Sequence, residues 1–72
     1  MKYIIAIYDG RHVDYIVGGS YIFQQEKYAT LTESRKEAKR YSSYNRASAA
    51  LKKLLISCVN IYGKCKIEEV DE

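Results

Sequence analysis

The sequence predicts a single α+β domain: an antiparallel sheet with two short helices on one face, in the order βββααβ over residues 1–72. Three observations carry this. The first 26 residues alternate apolar and polar positions between glycine-containing turns. The apolar spacing then changes to a helical one after residue 33. The last segment returns to alternation.

The opening strand is "KYIIAIY", residues 2–8. Tyr3, Ile5 and Ile7 point to one face and Ile4, Ala6 and Tyr8 to the other. Apolar residues on both faces mark a central strand covered on both sides, or covered only in part on the second. Asp9–Gly10 is a hairpin signal, leading into "VDYIV" at 13–17. Gly18, Gly19 and Ser20 supply a second tight turn, so "YIFQQ" from Tyr21 becomes the third strand of a meander. Ser34 and Glu37 match a capping box and start a first helix, with Thr32 as a competing cap. Ala38 and Tyr41 form its core-facing side. Ser43 caps a second helix, whose stripe is Ala47, Ala50, Leu51, Leu54, Leu55 and Cys58. Asn60 and Gly63 are stop signals. The final strand "KCKIEEV" alternates Cys65 and Ile67 with Lys66 and Glu68. It should lie beside the first strand, the most apolar one; periodicity does not decide parallel from antiparallel.

Seventy-two residues limit what the domain can do. A chain this short buries roughly 60% of its unfolded surface, leaving no room for a large enclosed cavity. No apolar run reaches the ~18–20 residues of a membrane span, and the N-terminal apolar stretch is too short for a secretory signal. The cytoplasm of a bacterial host is the expected compartment. Cys58 and Cys65 are expected to be reduced, with Cys58 in the core; a disulfide closed by a turn near Gly63 is the alternative. Two cysteines and His12 cannot furnish the four ligands of a structural zinc site.

Catalytic constellations are missing. His12 is the sole histidine and belongs to a hairpin turn. Cys58 on an apolar stripe is a poor nucleophile. Glu68 and Glu69 point to opposite sides of a strand, and Asp71 and Glu72 belong to an acidic tail that is either a solubilising end or a partner for a basic surface. No glycine spacing fits a phosphate loop. The expectation is a protein that is not an enzyme and needs no cofactor or metal.

Two features point to binding instead. Residues 33–53 hold seven of the twelve Lys/Arg against Glu33 and Glu37, a local charge of +5 within an overall +3. The basic candidates are Arg35, Lys36, Lys39, Arg40, Arg46 and Lys53, with Tyr44 as an aromatic anchor. The isoelectric point of about 8.9 falls just short of the value above 9 that guides nucleic-acid binders. Eight tyrosines without a tryptophan exceed what so small a core can hold. The sheet face opposite the helices should therefore expose Ile4, Ala6, Tyr8, Ile16 and Ile22. Tyr8, Ile16 and Ile22 are the candidate interface there, for a partner or a second copy.

The segment "ATLTESRKEAKRYSSYNRASAALKKL", residues 29–54, resembles small orphan proteins of bacteriophages and mobile elements in Gram-positive bacteria. The shared look is a strand entering "ATLT" followed by the cap, helix, turn and helix pattern. The resemblance implies a binding protein that blocks or modulates a protein or ribonucleoprotein partner, of anti-CRISPR or other anti-defence type. Simple DNA mimicry does not suit its basic helices. A nucleic-acid-binding module and a homodimeric interaction protein are the alternatives.

Overall fold

A computed structural model describes residues 1–61 and 64–70. The elements are β1 (Lys2–Asp9), β2 (His12–Phe23), β3 (Glu26–Thr32), a 3₁₀ turn at Arg35–Glu37, α1 (Tyr44–Ser57) and β4 (Lys64–Val70). The four strands form one sheet in the order β3-β2-β1-β4, and all pairs are antiparallel. The α+β class, the central first strand and the neighbouring last strand are as the sequence predicts. The Gly63 stop signal and the Asp71–Glu72 tail lie outside the described residues.

β1 is central because both its faces are covered. Ile4, Ile5, Ala6 and Ile7 are buried. Ile5 and Ile7 meet Ala47 and Cys58 of the α1 side, together with Ile16 and Ala29. Ile4 packs with Ala38 and Val70 on the other face. An isoleucine truncated to alanine in such surroundings costs about 2–5 kcal/mol.

The meander departs from the prediction. Gly18, Gly19 and Ser20 do not turn the chain; β2 runs through them to Phe23. The pairing shifts between Ile16 and Ser20, where Gly18 and Gly19 adopt φ of +95° and +87°. The glycines thus build a bulge rather than a hairpin. The turn comes at Gln24 and Gln25, with φ of +50° and +69°, the pair of positive values a type I′ turn requires. The predicted third strand "YIFQQ" is therefore the end of β2 plus this turn, and β3 begins at Glu26.

The first predicted helix is also absent. Ser34 makes no side-chain cap bond, and a single 3₁₀ turn ends at Ala38 in extended backbone. Instead, Lys39 N–H donates to the Ile16 carbonyl at 2.8 Å, while Tyr41 and Tyr3 exchange backbone bonds at 2.8 and 2.9 Å. Residues 39–41 thus fill the seam where β2 leaves β1. A short isolated helix is weakly cooperative, and its like-charged pairs at Arg35/Lys39 and Lys36/Arg40 weaken it further. Bonds to two strand edges outcompete it.

α1 follows the prediction closely. Ser43 Oγ accepts from Arg46 N–H at 3.2 Å, a cap contributing about 1 kcal/mol. Ala47 and Cys58 are buried, whereas Leu55 of the predicted stripe is 50% exposed.

Candidate functional site

The seam segment and α1 together shape a shallow, open groove of about 510 Å³. Lys39 and Arg40 reach it from the seam, Arg46 and Lys53 from one flank of α1, and Lys2 from the start of β1. Among the described residues, no Asp or Glu lines it. Tyr41 and Ser42 form part of its wall.

Each cation is placed for a local reason. The Lys39 ammonium lies 5.4 Å from the Tyr41 ring centroid, and its stem crosses Gly18, where a Cβ would stand 2.8 Å from Lys39 Cδ. Tyr41 is partly buried, and that burial pushes its phenol above the ordinary value. Arg40 donates to the Arg35, Lys36 and Ala38 carbonyls at 3.1, 3.3 and 2.6 Å. It closes the 3₁₀ turn while keeping its charge at the groove. Arg46 and Lys53 are seven positions apart, two helical turns along one side of α1.

Of the seven basic-surface candidates, then, Lys39, Arg40, Arg46 and Lys53 are brought together. Arg35 is not: it pairs with Glu68, on the sheet face opposite α1, and lies 6.0 Å from the Tyr15 centroid. Lys36 is exposed on the 3₁₀ turn, outside the groove lining. Tyr44 packs edge-on against Tyr3, at 6.1 Å between centroids, and lines a different groove. Lys2 escaped the sequence reading because no local pattern ties residue 2 to residue 46. The Tyr3–Tyr41 bridge and the Tyr3–Tyr44 ring contact do so.

Tyr8, Ile16 and Ile22 do not form one surface. Ile16 is fully buried in the cluster beneath α1. Asp9 opposes His12, so odd positions of β1 face even positions of β2, and Ile16 shares a face with Ile5 rather than Ile4. Ile4 and Ala6 are buried too, and Ile22 alone is 75% exposed. Tyr8 belongs to a polar network: its hydroxyl donates to Glu68, which also accepts from Arg35. Bonds from Tyr8 first and Arg35 second hold the Glu68 carboxyl below its ordinary value. The same Glu68 bond pushes the Tyr8 phenol up.

The sequence reading also missed an aromatic arm. Beyond the bulge, Tyr21 and Tyr28 stack at 5.5 Å with planes 13° apart, and Phe23 meets Tyr28 edge-on at 6.5 Å. Tyr21 and Phe23 are 53% and 58% exposed.

Groups with chemical reactivity are dispersed. His12 Nε2 stands 3.1 Å from Asp14 on the surface. Cys58 and Cys65 are free thiols, and burial pushes the Cys65 thiol up. Among the described residues, no cluster of three or more His, Cys, Asp or Glu is placed to hold a metal. No described helix is long and apolar enough to cross a membrane. No family model matches the chain, and no curated protein or solved structure matches it either.

Proposed function

We propose that this protein is a non-enzymatic binding module that docks on a nucleic-acid-bearing partner through the groove between the seam and α1, and inhibits or modulates that partner by occupying it. The observation that carries the reading is the convergence of Lys2, Lys39, Arg46 and Lys53 around one groove with no Asp or Glu among its described lining residues. Like charges at close quarters repel in the free protein. A polyanion relieves that repulsion and releases its own counterions. The exposed rings of Tyr21, stacked on Tyr28, and Phe23, starting three residues beyond Gly18, favour a single strand, since aromatic faces accept unpaired bases irrespective of sequence. In its most specific form, supported by the likeness of residues 29–54 to small phage and mobile-element proteins, the partner is an RNA-loaded bacterial defence complex.

Fluorescence anisotropy with labelled single-stranded RNA, single-stranded DNA and duplex DNA over a salt series tests the reading. Each single-strand phosphate contact adds about −0.7 to the slope of log affinity on log salt. Replacing Lys39, Arg46 and Lys53 with glutamine should flatten the slope by about 2 if each meets a phosphate. Absence of binding near about 50 mM salt, or an unchanged slope in the triple variant, rejects the groove as a nucleic-acid site.

A further inference from the structure

The fold treats the two outer edges of its sheet differently. On β3, the Lys27 carbonyl accepts from Val59 N–H at 3.0 Å. Asn60 bonds both backbone groups of Ala29, accepting from its N–H at 2.8 Å and donating to its carbonyl at 3.0 Å. That edge is occupied. β4 pairs with β1 on one side, and among the described residues no strand lies on its other side.

Which β4 groups face the open edge follows from Tyr3. Its N–H and C=O both bond Tyr41, and so point away from β4. Bonded and non-bonded pairs alternate in an antiparallel ladder. The pairs Tyr3–Glu69, Ile5–Ile67 and Ile7–Cys65 are therefore of the non-bonded kind. Cys65, Ile67 and Glu69 consequently direct their backbone N–H and C=O outward.

We propose that a second copy of this chain pairs with this edge, antiparallel about a twofold axis through Ile67, joining two sheets into one. The charge pattern selects both the occupant and the register. An axis at Ile67 places Lys66 opposite Glu68 of the second copy on either side of the dyad, and Cys65 opposite Glu69. An axis at Lys66 sets lysine on lysine, and one at Glu68 sets glutamate on glutamate. An axis at Cys65 opposes Lys64 to Lys66. Pairing about Lys66 also sets Lys64 opposite Glu68, but it keeps the central lysine pair. Of these registers the Ile67 one matches opposite charges with no like charges facing each other, and Ile67 is one of the outward-bonding residues. Edge lysines ordinarily discourage pairing; here Lys66 finds an acid in an identical chain, the self-complementarity an isologous interface needs.

The neighbouring surface fits the same occupant. Tyr44, Leu51 and Leu55 of α1 and Cys65 and Ile67 of β4 line a groove of about 500 Å³. Tyr44 and Leu55 are 55% and 50% exposed. A twofold perpendicular to the sheet keeps both helices on one face and brings these flanks together. The basic groove lies on the other flank of α1, so the pairing leaves it open and does not depend on what it binds.

Light scattering should return twice the 8.3 kDa chain mass. Hydrogen exchange should show the Cys65, Ile67 and Glu69 amides slowed in a concentration-dependent way, on top of the concentration-independent protection at Lys66 and Glu68. Lys66→Glu opposes like charges twice and should weaken association by roughly tenfold or more. Glu69→Pro removes an outward donor on an exposed residue and should give a folded monomer by circular dichroism. A wild-type monomer at every concentration overturns the proposal. So does a dimer that both substitutions leave intact.

Discussion

Replacing Asn60 with alanine should destabilise the protein far more than a half-buried loop residue ordinarily would. The Asn60 carboxamide makes both edge bonds to Ala29, at 2.8 and 3.0 Å, in place of a neighbouring strand. Ala29 is only 1% exposed, so water cannot readily replace the lost partner. Two lost bonds at about 1 kcal/mol each, with about 1–3 kcal/mol for stranding buried polar groups, give roughly 3–5 kcal/mol. A domain of 72 residues holds only roughly 4–11 kcal/mol in total. Urea denaturation followed by tyrosine fluorescence should show a large drop in midpoint with an unchanged slope. Asn60→Asp keeps the acceptor for the Ala29 N–H and sets a carboxylate against its carbonyl, so it should not restore stability. Exchange of the Ala29 amide should accelerate in both variants. A loss below about 0.5 kcal/mol for Asn60→Ala, the range of an ordinary surface substitution, would refute the strand-mimic role.

Further outcomes concern the opposite face and the bulge. Because Tyr8 and Arg35 lower the Glu68 carboxyl, its contribution is present above its unfolded value of about 4.3 and is lost as pH falls through the lower folded value. The stability difference between wild type and Glu68→Gln should therefore shrink on acidification from pH 6; a difference flat with pH sinks the network. Gly18→Ala and Gly19→Ala each force a side chain into positive φ, costing about 1–2 kcal/mol in urea melts. Only the Cβ at residue 18 meets Lys39, so only Gly18→Ala should also weaken anion binding; equal binding by the two variants removes Gly18 from the groove.

Much of this chain is legible before folding. Apolar residues on both faces of residues 3–8 require a central strand, because no edge position covers two sides. Ser43 and the apolar stripe from Ala47 to Cys58 require α1, since cap and periodicity are satisfied within the helix. The concentration of cations in 33–53 is likewise a property of the chain.

The tertiary structure decided the rest, and in each case a bond distant in sequence overruled a local signal. The Ser34–Glu37 capping box yields a 3₁₀ turn because Ile16 and Tyr3 offer strand edges to Lys39 and Tyr41. Gly18 and Gly19 carry a bulge rather than a hairpin because β2 continues alongside β3 to Phe23. Ile16 is core and not surface because the two-residue turn at Gly10 exchanges odd and even faces between β1 and β2. Lys2 is brought to Arg46 by the Tyr3–Tyr41 bridge and the Tyr3–Tyr44 ring contact. Caps, periods and turn residues act over a few positions, whereas faces, edges and grooves are set by which distant backbone groups find each other.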